Sequence, residues 1–437
     1  MAHRLDVTTV IMQNNEQRTL LIPPVLWVIS LYFIEGLPFC LVNTVSVALF
    51  KTMQISNTQI GLFTSLFYIP WAIKFLWAPL IDYTGQRKKW IIATQVILAI
   101  LTAVLSLSIF CSQSFVLLCI LFTCMAFTSA TYDIVCDGFY LDSLSKPEQS
   151  LYIGWRNTAY KVAWIFGAGF LVYIVGIIAN TRIVHALSEF NLAWCVAFLI
   201  AAVVFAIVAL FHNYGLPIAN KSDNGQERHL LVATFKDAFT SFFNQKKIGL
   251  ILIWILIFRS GDALLLKMAQ PFLLDRLEKG GLALSLQSVG FIYGSLGMIF
   301  LLIGGIIGGW LVFKYGLKKC LLPSAILQSI TLLLYWFLAV YKPGLPYIAM
   351  ANGFEQFAYG LATAAYTSYL FTIVKSKFLA SHYAIATGFM AIGMILPGAI
   401  SGYLTDSFGY QYFFLISFFA SLPGILCTLK LPFNTEN

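Results

Sequence analysis

The sequence predicts an all-α polytopic membrane protein with about twelve transmembrane helices in two pseudo-symmetric six-helix bundles. Three observations carry this. Of 437 residues, 59% are hydrophobic and only 10% charged, against about 25% charged in soluble globular proteins. Apolar runs of roughly 20 residues, each long enough to cross ~30 Å of hydrocarbon, recur from end to end. One loop pattern returns at a fixed offset and divides the chain into two similar halves.

The expected spans lie near residues 23–49, 57–81, 89–111, 115–140, 151–178, 193–214, 248–274, 284–313, 318–340, 345–373, 379–403 and 409–431. The first apolar run is too long for a signal h-region and lacks an A-x-A site, so no cleavable signal sequence is expected. Residues 1–214 and 248–437 are expected to form the two bundles. Residues 215–247 are the one long polar stretch and read as a cytoplasmic linker. Within it, LLVATFKDAFTSFF has the pattern of an amphipathic helix on the membrane surface.

The net charge of +9 does not point to nucleic acid, because the cations sit in short loops. With the N-terminus inside, seventeen Lys and Arg residues fall in cytoplasmic segments. Five (Lys51, Arg182, Arg276, Lys279 and Lys342) fall outside. This bias places both termini in the cytoplasm. The eight cysteines form no CxxC pair. They predict buried thiols, with no disulfide framework, zinc site or other metal.

The repeated loop is APLIDYTGQRKK (78–89) and GWLVFKYGLKKC (309–320), at an offset of 231. Each copy sets a glycine just before a basic pair: Gly85 before Arg87 and Lys88, Gly316 before Lys318 and Lys319. Parallel six-helix repeats are the build of the major facilitator superfamily. The first copy resembles its signature loop, G-x-x-x-D-R-x-G-R-R, with Ala78 for the leading Gly and Tyr83 for the Arg. In the second copy Phe313 stands where the Asp would be. The resemblance implies a gating role for Asp82, Gly85, Arg87 and Lys88. Asp82 would latch onto a helix N-terminus of the neighbouring half, where the dipole favours an anion.

Ionisable groups at membrane depth are costly, so each one is a functional candidate. Span 1 has Glu35, span 2 Lys74, span 4 Asp133 and Asp137, and span 5 Arg156 and Lys161. Span 7 has Arg259, Asp262 and Lys267, and span 10 has Glu355 beside Asn352 and Gln356. Asp133 and Asp137 are four apart and share a helix face. If spans 4 and 5 form an antiparallel hairpin turning near Ser145–Glu148, Asp137 lies level with Arg156, and Asp133 with Lys161. These pairs are either static rivets or contacts that break and reform during transport. Arg259 and Asp262, three apart, can pair along one helix. Gly261 allows a bend or a close approach, and EGLPF (35–39) suggests a mid-membrane kink. Interrupted helices in matching positions of two halves point to a binding site. Trp71, Trp77, Trp155 and Trp164 lie on charged helices, where they either stack on a ring-bearing solute or anchor at the membrane interface.

Together, EGLP, IGLFTSLFYIPWAIKFLWAPLID, SATYDIVCDGFYLDSL, RSGDALL and ANGFEQFAYGLATAAYTSYL resemble the AmpG-type muropeptide permeases, a major facilitator branch related to acetyl-CoA transporters. The resemblance spans nearly the whole chain. It implies proton-driven import of wall-derived muropeptides across a bacterial inner membrane. Asp133 and Asp137 match the family's Q-D-I-x-x-D motif, with Tyr132 in place of the Gln. Tyr160–Lys161 match its Y-R with Lys for Arg, Gly261–Asp262 match its G-D, and Glu355 falls close to its helix 10 Glu. The candidates for proton coupling are therefore Asp133, Asp137, Asp262, Glu355 and Glu35. Those for binding an anionic solute are Arg156, Lys161, Tyr132, Arg259, Lys267, Gln356 and Asn352. Partners are the small solute, the proton and the bilayer, and the chain is expected to act as a monomer. No GxxxxGK[ST] motif is present, and no cofactor or catalytic residue is expected. A ferric-siderophore importer of the same fold and a membrane sensor that binds solute without moving it are the competing readings.

Overall fold

The computed structural model describes residues 22–78, 80–81, 86–111, 114–180, 188–217, 237, 239–374 and 379–433. These form α1 Pro24–Thr52, α2 Asn57–Leu76, α3 Arg87–Cys111, α4 Phe115–Ser143, α5 Lys146–Asn180, α6 Phe190–Gly215, α7 Ile248–Leu274, α8 Leu286–Tyr315 and α9 Leu317–Tyr341. α10 is Leu345–Thr372. A last helical stretch, Leu379–Thr428, breaks at Gly409 (φ 75°) into α11, 379–408, and α12, 410–428. Among the described residues this makes twelve helices, the number expected. The buried face of α10 carries Asn352, Glu355 and Gln356. No strand occurs among the described residues. Most of the expected surface helix, and Asp82 and Gly85 of the signature loop, lie outside the described residues.

Local chemistry sets the helix ends. Ser56, Ser114 and Ser285 accept backbone N–H groups at the starts of α2, α4 and α8, satisfying donors that a helix leaves orphaned. Ser145 and Glu148 form a capping box that starts α5. Gly316 turns between α8 and α9 at φ 85°, a left-handed value that explains the glycine of the second repeat loop. In the first copy, Arg87 pairs with Asp142 at 2.7 Å, and Lys88 donates to the Leu216 carbonyl at 2.7 Å. The basic pair thus ties the start of α3 to the ends of α4 and α6.

In the first six helices, α3 runs along α6 and α4, while α1 packs on α5 and α4. In the last six, α8 runs along α10, α9 along α10 and α12, and α7 lies against α11 and α12. Large apolar side chains on α3, α6, α8 and α9 point outward, including Ile100, Leu107, Ile207, Leu210, Ile306 and Ile330. That belt suits acyl chains.

The halves meet along two seams, α2 on α11 and α5 on α8. Both are backbone-close. A Cβ on Gly402 would fall onto the Asn57 carbonyl, one on Gly398 would sit 2.5 Å from Ser65 Oγ, and one on Gly294 would fall onto the Ala168 carbonyl. Small residues allow this approach between membrane helices. Three central stretches are wound wider, as π-helix: Leu41–Val45 in α1, Ile165–Leu171 in α5 and Gly290–Leu296 in α8. The expected break at Gly36–Pro38 is not seen: helix geometry continues through Pro38 and the wider winding begins at Leu41. Gly36 serves close approach to α5, a built Cβ there lying 2.7 Å from the Tyr160 carbonyl.

Gly402→Leu should force the α2–α11 seam apart and cost about 3 kcal/mol. Gly309→Ala, at a site with nothing within 4 Å, should be nearly neutral. Thermal unfolding of the two purified variants in detergent checks the contrast.

Candidate functional site

A cavity of about 190 Å³ lies between the halves, lined by α1, α2, α5, α7, α8, α10 and α11. Its aromatic wall includes Phe39, Tyr68, Trp164, Tyr293 and Tyr359. Two lysines enter it, Lys161 from α5 and Lys267 from α7, and no carboxylate among the described residues lines it. Among the described residues no acid lies within ion-pair distance of either lysine. Asn43 Oδ1 and Ser65 Oγ, both in the lining, are buried without a hydrogen-bond partner. Gln356 also faces the cavity. The arrangement is a small aromatic chamber with two cations and spare hydrogen-bonding groups. It suits an anionic, ring-bearing solute.

Beside the cavity, in the first half, the carboxylates of α4 are engaged. Arg156 Nη2 meets Asp137 Oδ1 at 2.8 Å, and Tyr32 donates to the same oxygen at 2.9 Å. The guanidinium lies over the Tyr32 ring, 4.3 Å from its centroid. The expected Asp137–Arg156 pair is present. The expected Asp133–Lys161 pair is not: Asp133 binds Lys74 of α2 at 3.3 Å. Spans 4 and 5 follow one another in sequence, but α1 lies between them, packed on both. Arg156 reaches Asp137 past Tyr32 of α1, while Lys161 falls on the cavity side. Lys74 is the partner that pairing by hairpin register missed; the one signal for it was a lone cation in span 2. Glu35, one turn along α1 from Tyr32, keeps Oε2 buried without a hydrogen-bond partner.

At the centre of the second half, Arg259, Asp262 and Glu355 are met by neutral groups. Arg259 donates to the Tyr359 hydroxyl at 2.9 Å and to Thr363 Oγ1 at 2.8 Å, and lies over the Tyr359 and Tyr366 rings. Asp262 accepts from the Gln328 amide of α9, and its Oδ1 is buried without a partner. Arg259 and Asp262 do not pair along the helix. α7 is interrupted at Phe258–Arg259 (Arg259 φ −103°, ψ 15°), which turns Arg259 toward α10 and Asp262 toward α9. Gly261, next to the break, serves close approach instead: a Cβ there would sit 2.5 Å from the Ser417 carbonyl. Glu355 is buried and accepts from Gln356 at 2.8 Å.

Two further candidates are not brought to the cavity. The buried Tyr132 hydroxyl donates to the Leu31 carbonyl at 3.0 Å and accepts from Gln95. Asn352 accepts from Tyr335 and donates to the Ile292 carbonyl, clamping α8, α9 and α10. Of the tryptophans, Trp164 lines the cavity, Trp71 packs on Phe39, Trp77 donates to Thr131, and Trp155 is exposed.

Beyond the cavity, at the end where α1 gives way to α2, polar bonds join the halves. Lys51 pairs with Asp275 at 2.6 Å and donates to Asn57 Oδ1 at 2.7 Å. Tyr410 donates to Asp275 at 2.7 Å and accepts from Asn57 at 3.3 Å. The Thr58 N–H and hydroxyl both donate to Asp406. This closure, distal to the described chain ends, links α1 and α2 with α7, α11 and α12.

The family model described as Major Facilitator Superfamily matches residues 28–301 and 263–436. The chain belongs to this superfamily. Its relatives include the anhydromuropeptide permease of Escherichia coli K12, 27% identical over 405 residues that cover 91% of this chain and 77% of the permease. They also include a putative transporter AmpG 4 of Rickettsia conorii, 23% identical over 92% of this chain and 94% of that protein. The resemblance to AmpG-type permeases stands in these relatives. Among solved structures, a D-xylose–proton symporter superposes with a TM-score of 0.73 at 12% identity, covering 94% of this chain and 98% of that one. A bacterial homologue of the human lysosomal transporter Spinster, inward-facing and unoccupied, gives 0.71 at 16%, with the same coverage. These neighbours establish the fold: a multi-pass membrane protein of the major facilitator architecture.

Breaking the Lys74–Asp133 pair leaves a buried charge without its partner. Lys74→Met should cost about 2 kcal/mol, and the Lys74→Met/Asp133→Asn double variant should recover most of it. Arg156→Met removes a pair whose side chains are 31% and 40% exposed and should cost about 1 kcal/mol. A double-mutant cycle read by thermal unfolding checks both.

Proposed function

We propose that this protein is a secondary transporter that imports an anionic, muropeptide-class solute by alternating access, driven by proton symport. The observation that carries the reading is the cavity: two lysines without acidic partners, inside aromatic walls, at the junction of the two halves. A cation held at membrane depth without a counter-charge costs several kcal/mol. An entering carboxylate offsets that cost, so the site favours an anion. A cavity of about 190 Å³ seats the charged end of a sugar–peptide while the remainder extends toward the ends of the helices. Tyr359 links the chamber to Arg259, which adds positive field behind the lining.

The proton carriers are sought among carboxylates that no cation holds. Glu35, Asp262 and Glu355 meet this condition. Asp133 and Asp137 are held in ion pairs and act as supports that rearrange between states. The positive-inside bias supports an inner-membrane protein with both termini in the cytoplasm. The closure at Lys51 and Asp275 then lies on the periplasmic side.

Uptake of radiolabelled anhydromuropeptide into energised inverted or right-side-out vesicles tests the reading. Accumulation in one orientation that a protonophore collapses is expected. Iron-siderophore accumulation in its place, or binding without accumulation, overturns it. Lys161→Gln should raise KM about tenfold, equivalent to about 1.4 kcal/mol of solute binding, with kcat largely kept. Glu355→Gln should abolish uphill accumulation while leaving solute exchange in de-energised vesicles.

A further inference from the structure

The structure assigns to Lys267 a second role, tying the two halves together through a backbone carbonyl and releasing that tie when the cavity fills. The inference rests on the anionic-solute reading of the cavity and adds how occupancy reaches the distal closure.

The geometry begins in α2. Pro70 has no N–H, and the helix is interrupted at Phe67–Tyr68 just ahead of it. The Tyr68 N–H, which a regular helix would aim at the Thr64 carbonyl, donates to Ser65 at 3.1 Å. The Thr64 carbonyl is therefore left without its intrahelical donor. Lys267 of α7 supplies one from the opposite half, Nζ to O at 2.8 Å. Its stem runs between the seams, since a Cβ on Gly398 of α11 would sit 3.3 Å from Lys267 Cγ. The ammonium group thus has two accessible environments: the carbonyl of α2 and the cavity that it also lines.

A neutral carbonyl is the weaker of two possible acceptors. A carboxylate in the cavity forms a charge-assisted bond about twice as strong and attracts Lys267 away from Thr64. The seam then loses one of its polar ties between α7 and α2. The remaining ties lie further out, at Asn57, Thr58, Asp275, Asp406 and Tyr410. Lys161 faces the same cavity but, among the described residues, holds no backbone carbonyl of the other half, so the two lysines divide the work. Lys161 contributes affinity, and Lys267 contributes affinity and coupling. In linkage terms, the solute shifts the equilibrium by binding more tightly to the state in which the Thr64 tie is broken.

The test uses the full chain in proteoliposomes, with the exposed Cys111 and Cys124 replaced by serine. The reporter is Thr405→Cys, a buried position in the distal closure. Labelling by a membrane-impermeant maleimide from the distal side reads opening. Without solute, Lys267→Met should label about tenfold faster than the parent, the effect of losing one hydrogen bond to a charged donor. Pro70→Ala, which lets the Tyr68 N–H compete for the Thr64 carbonyl, should do the same with the lysine intact. Lys161→Met and Lys267→Arg should label at the parent rate. Adding anhydromuropeptide should raise labelling of the parent and of Lys161→Met, the latter at higher concentration, and leave Lys267→Met unchanged. Parent-like labelling of both Lys267→Met and Pro70→Ala without solute overturns the tie. If the solute-free differences appear but anhydromuropeptide moves nothing in the parent, the tie stands and the choice of solute falls.

Discussion

Two membrane-buried helical bundles can touch only where their backbones come close, and here that contact is concentrated along α2–α11 and α5–α8. Gly294, Gly398 and Gly402 remove the side chains that would hold the seams apart. Lipid supplies no hydrophobic drive between helices, so close packing and interhelical hydrogen bonds must hold the halves together. Several polar contacts between the halves lie along these seams. Thr58 meets Asp406 and Asn57 meets Tyr410 because α2 and α11 lie this close. The α5–α8 seam brings Lys161 and Trp164 opposite Tyr293, and so makes the wall of the cavity.

The interior charges then sort by whether a partner lies in the same half. Lys74 with Asp133 and Arg156 with Asp137 are settled inside the first half, each across helices that pack directly or past α1. Lys51 with Asp275 is settled between the halves. Among the described residues Lys161 and Lys267 have no acidic partner in either half, Lys267 being held only by the neutral Thr64 carbonyl, and both face the space in the middle. A fold under pressure to pair every buried charge leaves cations unpaired only where another stabilisation arrives. That is the physical basis for treating the cavity lysines, rather than the more numerous ion pairs, as the solute-facing groups.

Much of this architecture was legible in the sequence, because burial in lipid imposes long apolar runs and Gly turns that a chain cannot disguise. Spans and the Gly316 turn follow from local chemistry alone, whereas Ser145–Glu148, expected as a turn ahead of a span near 151, is the capping box that starts α5 at Lys146. The Asp137–Arg156 pair was reached by hairpin register, although α1 stands between α4 and α5; Asp133–Lys161 was missed for that same reason. Hairpin register assumes that consecutive helices are neighbours, which the wrapping of α5 onto α1 violates. The Arg259–Asp262 pair failed at a helix interruption with no proline or glycine at its centre to mark it. Tyr132 and Asn352 are polar residues on charged helices, yet their partners are the backbone carbonyls of Leu31 and Ile292. Backbone acceptors carry no sequence signature, so their occupancy is visible only in three dimensions. The Thr64 carbonyl is the same kind of feature.

The halves also differ in how they hold their carboxylates, and the difference bears on proton coupling. In the first half, neutralising Asp133 or Asp137 would strand Lys74 or Arg156, so a proton arriving there must be accompanied by rearrangement of a cation. In the second half, Asp262 is held by the Gln328 amide and Glu355 by the Gln356 amide. An amide can turn from donor to acceptor by exchanging its nitrogen and oxygen, so a carboxyl that gains a proton still finds a partner. Proton exchange at Asp262 or Glu355 therefore strands no cation and needs only a local amide flip. Under the proposed mechanism this favours Asp262 and Glu355, together with Glu35 of the first half, which no cation holds either, over the paired Asp133 and Asp137 as the carriers of the proton.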